Sequence, residues 1–536
     1  MKKISVLALA AVLLAACTSQ NAEIAPSLKI TAPAGSDSVS ADGGTLELSV
    51  AWSAARWKAS SDNSTMITDI TPVYAGNEEG EGVAKVTLTI SANSGSSPRT
   101  ATVSVTDTGG AVSDAVTIVQ NGRQGSDDPD PEPGPVVTDG VRITVDPSET
   151  HQVIDGWGGM NNWGNDTYLS NSEIDALFSP SNGLGLNILR IRIMTEENKW
   201  KNLVNACKYA INTYGALILA SPWTPPASMK DNGSLNGSSN QSDQSTYSHL
   251  KPECYEDYAL YLEKFAKYMK DNGAPLYAIS VQNEPDWPAT YEGCNWTGEQ
   301  NRDFIRDYGH LIQSALLTSG ESLQMKPSFY KPLLADEAAC ANFDIVAGHI
   351  YGGGIAKVDR AAERGKHVWM TEHLLNDSWT NNSSHWTETM SMLTEIHKCL
   401  KADWNAYIWW YAKRYYSFIG DGEQDTTAGE ILQRGHAFGQ YSRYVRPGYV
   451  RIGASASASD LLVTAFEGDG STVVVIVNTG SSAFEDAALG LPSGTSSATA
   501  TYTGANASQK TLDVSVEGSS ATFIIPSKSV TTVVMQ

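Results

Sequence analysis

Two glutamates in this chain stand where an apolar run gives way to polar and aromatic residues. Glu284 follows residues 277–282 in the stretch VQNEPDW, and Glu372 follows residues 367–371 in HVWMTEH. A solitary glutamate after an apolar strand is most often a salt-bridged structural residue. Two of them in one cleft can do more. One carboxyl protonates a leaving oxygen, while the other, ionised, attacks or stabilises the carbon left behind. That pairing is what glycosidic-bond cleavage needs, and Trp and Tyr faces that stack on sugar rings would complete it. The chain carries 14 Trp and 22 Tyr. No phosphate-binding glycine loop, HExxH zinc site or nucleophile elbow competes with this reading. No metal cluster is visible, residues 421–430 lack the spacing of a calcium loop, and no cofactor is expected.

Such groups need a frame. From about residue 141, short apolar segments (187–193, 216–221, 277–282, 345–350, 367–371 and 406–410) alternate with helix-length ones (256–270, 299–317 and 387–400). Alternating β and α over this length predicts a parallel sheet closed into a (β/α)8 TIM barrel, with chemistry at the C-terminal ends of its strands. The fold class expected is therefore α/β, with the barrel over 140–446. After it, residues 461–466, 472–478 and 520–525 alternate with period two, which predicts a β-sandwich side domain over 447–536. Before it, residues 85–90 and 100–105 alternate in the same way, which predicts a small N-terminal β-sandwich over 23–122. Between the two lies 123–139, where Pro129, Pro131, Pro133 and Pro135 alternate with acids. Such a segment is extended and self-repelling, and reads as a linker.

The 536 residues suggest three to four domains at roughly 150 residues each, and 41% hydrophobic content is enough for a large core. The net charge of −22 opposes phosphate backbones, so nucleic acid is excluded as a partner. No apolar run of about 18 residues follows the N-terminus, so no membrane span is expected. Lys2 and Lys3 precede an apolar run over 4–16, too short to cross a bilayer but suited to a signal-peptide core. Its end, Leu14-Ala15-Ala16-Cys17, resembles the lipobox of bacterial lipoproteins. That resemblance implies a signal peptide within residues 1–17, lipidation at Cys17, export, and anchoring to the outer membrane through the lipid alone. Cys207, Cys254, Cys294, Cys340 and Cys399 are odd in number, so at least one is unpaired within the chain. A monomer is expected.

Longer motifs make two resemblances specific. WKASSD (57–62), PRTATVSV (98–105) and VTIVQNG (116–122) resemble a BACON domain of Bacteroidetes surface proteins. This implies a spacer, or a module that binds glycan. DGWGGMNNW (155–163), LRIRI (189–193), ASPWTPPASMK (220–230), QNEPDW with YEGCNWT (282–297), GHIYGG (348–353), WMTEH (369–373), YIWWYAKRYY (407–416) and YVRPGYVRI (444–452) together resemble glycoside hydrolase family 30. Its clan holds catalytic glutamates on the fourth and seventh barrel strands. The resemblance implies a double-displacement retaining enzyme with Glu284 as acid/base and Glu372 as nucleophile. It implies that Asn283 bonds the 2-OH of the reacting sugar, that Tyr351 orients the nucleophile, and that Trp163 and Trp223 line the sugar site. It also implies that residues 141–147 join the C-terminal sandwich.

WWYAKRYY resembles the members that cut glucuronoxylan, those of subfamily 8. In them an Arg and aromatics after the eighth strand grip a 4-O-methylglucuronate branch. The match falls on Arg414, Trp410, Tyr411 and Tyr416, with Ser378 as a hydroxyl donor on the loop after the seventh strand. A guanidinium paired with the branch carboxylate overcomes at short range the repulsion of an acidic protein. The loop over 417–435 is longer than in compact members and is expected to reshape that pocket. The activity expected is a retaining endo-β-1,4-xylanase on glucuronoxylan, with xylan polysaccharide as its partner. One alternative is a hydrolase of the same family without a glucuronate requirement, acting on unbranched xylan, releasing xylobiose or cutting a β-1,6-glucan. Another is a lipid-anchored glycan-binding protein with an inactive barrel. Arg414 weighs against the glucan, and Glu284, Asn283 and Glu372 weigh against inactivity.

Overall fold

The computed structural model describes residues 25–33, 38–41, 43–93, 97–121, 140–161, 168–375 and 385–536. Cys17, the expected linker at 123–139, Trp163 and Ser378 lie outside these residues. The chain divides into two compact units, Met1–Val136 and Val137–Gln536.

In the first unit, Gly44–Ser61 and Tyr74–Ile90 run antiparallel, with a bulge between Ser53 and Ala55. Ser27–Thr31 and Arg99–Asp107 pair with successive stretches of Gly44–Ser61. Period two decides which side chains go inside. Leu48, Val50, Trp57, Val86, Leu88, Val103 and Val105 form the core.

The second unit holds a closed barrel of eight parallel strands. In chain order they are Gly156–Met160, Ile188–Ile193, Leu217–Pro222, Ala278–Ser280, Leu316–Thr318, Ile345–His349, His367–Glu372 and Ala406–Tyr411. The apolar pattern predicted six of them within a residue or two at most ends, and missed the first and the fifth. The first, GWGGM, has no β-branched residue to announce it. Its glycines are required by packing, since a Cβ on Gly159 would lie 2.9 Å from the Ala412 methyl. The fifth was absorbed into a helix expected over 299–317. The helix stops at Tyr308, and Leu316–Thr318 is strand. Leu311, Ile312, Ala315 and Leu316 continue a helix-like spacing past the true end, so periodicity alone runs on.

A ten-stranded sheet completes this unit. Arg142–Val153 lies inside it, antiparallel to Val450–Ala456 and parallel to Phe484–Gly490. The sheet folds around its own core of Ile143, Ile452, Val463, Ile476, Leu489, Phe523 and Val533. Phe466, Val473, Val475, Val477 and Val530 instead join the barrel's core. Barrel and sheet thus share one apolar interior. No helix among the described residues is long and apolar enough to cross a membrane. Cys207, Cys254, Cys294, Cys340 and Cys399 are all free thiols.

Candidate active site

The fourth strand ends at Ser280, and the chain then turns sharply. Asn283 N–H donates to the Pro222 carbonyl at 2.8 Å and Glu284 N–H to the Glu321 carbonyl at 3.0 Å. Glu284 itself sits at φ +45°, a left-handed conformation that costs a residue with a Cβ about 1–3 kcal/mol and is found mostly at functional positions. Glu372 is the last residue of the seventh strand. The barrel brings the two together: an oxygen of Glu284, an oxygen of Glu372 and a nitrogen of His349 all lie within 4.8 Å of one another.

Each carboxylate has its own attendants. Glu372 accepts from Arg190 Nη1 at 2.5 Å and from Tyr351 Oη at 2.9 Å. Arg190, fully buried on the second strand, also donates through Nη2 to Asn283 Oδ1 at 2.7 Å and to Glu321 Oε2 at 2.9 Å. His349, fully buried at the end of the sixth strand, faces Glu284 through Nδ1 at 3.3 Å and Glu321 through Nε2 at 3.5 Å.

Burial opposes the charge of every group here, so the pairing decides which charges survive. Burial pushes the Glu284 carboxyl up, His349 pulls it back, nearby Glu372 pushes it further, and the result is raised. Burial also disfavours the imidazolium of His349, but Glu372, Glu284 and Glu321 outweigh it and lift the pKa to about 9. Burial would raise Glu321, yet Arg190 and His349 hold it well below the usual carboxylate range. Among the described residues, three carboxyls thus surround two cations. The cluster is neutral when Glu284 keeps its proton. Glu284, which holds its proton more tightly than a free carboxyl, thus lies beside Glu372. A metal ion would fit the spacing of Glu284, His349 and Glu372, but it would meet the charges of Arg190 and of protonated His349.

The aromatic and basic residues expected at the site divide. Trp223 is only 4% exposed. Its ring lies 5.0 Å from the Arg190 guanidinium and 5.8 Å from the Trp410 ring, so it forms floor. Trp410 stacks on Tyr411 at 4.3 Å, and both are half-buried. Tyr416 is buried, edge-on to Tyr415 at 4.9 Å, with its carbonyl held by Arg434. Arg414 is not waiting unpaired. Its Nη1 lies 3.2 Å from Asp421 Oδ2 and 3.8 Å from Glu423 Oε2, both on the loop over 417–435.

Sequence reasoning left Arg190, His349 and Glu321 without roles. The signal for Arg190 was present in LRIRI, because a charged residue inside an apolar strand is almost never buried without a partner. His349 likewise stood in a quoted motif. Trp287 and Tyr291, on the loop after Glu284, are exposed rings. Tyr291 is 51% exposed, and its hydroxyl pKa is pushed up to about 12, by burial first and then by Glu284 and Glu372.

The model of the glycosyl hydrolase family 30 TIM-barrel domain matches residues 182–389, and that of BACON, an N-terminal binding domain, matches residues 75–121. The glucuronoxylanase XynC of Bacillus subtilis (strain 168) is 34% identical over 403 residues, covering 73% of this chain and 91% of its own. The family 30 subfamily 8 xylanase Xyn30A from Clostridium acetobutylicum superposes with a TM-score of 0.65 at 31% identity, over 74% of this chain and 99% of that one. A family 30 endoxylanase from Clostridium papyrosolvens C71 superposes with a TM-score of 0.63 at 30% identity, over 74% of this chain and all of that one.

Proposed function

The chain belongs to glycosyl hydrolase family 30, and from that premise we propose that it is a retaining endo-β-1,4-xylanase acting on glucuronoxylan. The observation that carries the retaining mechanism is the approach of Glu284 and Glu372 to within 4.8 Å, with the Glu284 carboxyl raised by burial. An inverting enzyme holds its carboxyls about 6.5–9.5 Å apart to admit a water, whereas a retaining one holds them about 5–5.5 Å apart. Glu372, oriented by Tyr351 and Arg190, attacks the anomeric carbon while Glu284 gives its proton to the leaving oxygen. A covalent glycosyl-enzyme forms. Glu284, now ionised, takes a proton from water, which attacks the same carbon and frees Glu372. Arg190 occupies Asn283 Oδ1, so the amide nitrogen is the end of Asn283 left for the sugar 2-OH.

Glucuronate reading is assigned to Arg414, with Trp410 and Tyr411 beside it. Its support is the motif WWYAKRYY and a glucuronoxylanase among the relatives. The test is hydrolysis of glucuronoxylan, arabinoxylan and β-glucan with mass spectra of the products. Glucuronoxylan should be the preferred substrate, its products each carrying one glucuronate at a fixed distance from the reducing end. Arg414→Ala should lower kcat/KM on glucuronoxylan about tenfold more than on linear xylooligosaccharides, the low end for a charge-assisted pair of about 1.5–3 kcal/mol. Equal losses on both substrates would leave a xylanase and remove the glucuronate role. Export, lipidation at Cys17 and outer-membrane attachment belong to the same proposal and rest on residues 1–17. Cys17→Ala should release the protein from membranes.

A further inference from the structure

Arg414 is enclosed by its own loop. Arg414 N–H donates to the Ile419 carbonyl at 3.0 Å, and Ile419 bridges to Lys413 and Ile431. Gly420 and Glu430, and then Gly429 and Gly420, close the loop by backbone hydrogen bonds of 2.9 Å. Asp421 sits at this closure. Its Oδ1 accepts from Glu423 N–H at 3.1 Å, which leaves Oδ2 toward the guanidinium at 3.2 Å. The Asp421 side chain is 11% exposed and that of Arg414 is 28% exposed, so the acid is the more enclosed of the two while the guanidinium still meets solvent. Arg414 thus faces two acids of its own loop.

We infer that Asp421 and Glu423 are specificity-setting residues that partly neutralise Arg414 and so weaken the enzyme's dependence on the glucuronate branch. This rests on the proposed reading of Arg414. A substrate carboxylate that reaches the guanidinium arrives beside two charges of its own sign. At a separation of about 6 Å and an effective dielectric constant of about 40, between protein and water, one such repulsion lowers affinity about tenfold. Xylan segments without a carboxylate meet no such penalty, because Arg414 already has partners when the branch is absent. A bare guanidinium in this half-buried place would instead be left without a counter-charge on undecorated xylan, and would make the branch close to obligatory.

The experiment uses the full chain and three variants: Asp421→Asn, Glu423→Gln and the double. Asn is chosen because its amide oxygen can keep the bond to Glu423 N–H. Glu423→Gln changes an exposed side chain and guards against a folding defect at Asp421. The readout is the ratio of kcat/KM on glucuronoxylan to kcat/KM on the same xylan stripped of glucuronate. The ratio should rise about three- to tenfold in the single variants and further in the double, less at high salt. It should not change when Asp421→Asn is added to Arg414→Ala. An unchanged ratio with Arg414 present would overturn the inference, and a falling ratio would overturn it by showing that Asp421 aligns the guanidinium. If Arg414→Ala alone leaves the ratio untouched, the glucuronate reading itself fails, and this inference with it.

Discussion

Glu321→Gln tests the charge arithmetic of the site without touching either proposed catalytic carboxyl. In the native cluster neutrality requires Glu284 to hold its proton. With Glu321 neutral, the balanced state becomes the one in which Glu284 is ionised, so its proton should leave at lower pH. The size follows from geometry. Glu284 and Glu321 face the two nitrogens of one imidazole at 3.3 and 3.5 Å. At about 8 Å across the ring and an effective dielectric constant of about 20, one unit charge is worth about 2 kcal/mol, or about 1.5 pKa units. His349 is coupled to both and absorbs part of this by losing its own proton more easily, so the expected shift of Glu284 is about one unit. Glu284 is needed protonated, and its ionisation sets the basic limb of the kcat/KM profile. That limb should move down by about one pH unit, and by more than the acidic limb does. The assay is kcat/KM on soluble xylan across the pH range. An aryl xyloside with a very good leaving group serves as control, because its departure needs no proton and its basic limb should be blunted. A uniform loss with both limbs unmoved, or an upward shift, would refute the arithmetic and leave Glu321 a packing residue.

Glu284→Gln and Glu372→Gln should each abolish xylan hydrolysis with the melting transition retained, and azide should rescue Glu372→Ala with formation of the inverted glycosyl azide; near-normal turnover in either Gln variant would exclude that residue. Thermal stability should peak between about pH 5 and 7. Glu321, held low when folded, contributes stability above its unfolded pKa that is lost as pH falls. His349, raised to about 9, contributes stability below its unfolded pKa that is lost as pH rises through 9, so His349→Asn should flatten the alkaline side of Tm against pH. A chain starting at Val137 should fold and cleave soluble xylan, since that unit has its own core. One ending before Gly448 should be insoluble, because it strips Phe466, Val473, Val475, Val477 and Val530 from the barrel's interior.

Six of eight barrel strands were legible because each is an apolar run long enough to register. The two that escaped lack that signal for physical reasons. GWGGM gives up side chains so that neighbouring strands can close, and Leu316–Thr318 lies where the helix-like spacing of residues 311–316 runs on past the helix end at Tyr308. At the site, Glu284, Glu372, Asn283 and Tyr351 were picked out by their motifs, and the fold brings them together around Arg190 and His349. The reading of Arg414 as a group reserved for substrate did not anticipate Asp421 and Glu423, since no spacing rule links an arginine to acids across a long irregular loop.

What the sequence determined by itself is what local patterning encodes: alternation of strand and helix, and two carboxyls at strand ends where a barrel presents its chemistry. What only the tertiary structure decided is which charges meet. Residues 190, 283, 321, 349 and 372 come from five different strands or strand ends, and no periodicity relates them. Closing the sheet into a ring brings the ends together, and a register shift between Gly348 and His349 sets the pairing of the sixth and seventh strands at their ends. Burial then makes every unpaired charge costly, so the raised pKa of Glu284 is a property of the assembled cluster. It belongs to no single segment, which is why it could be read only after the ring was closed.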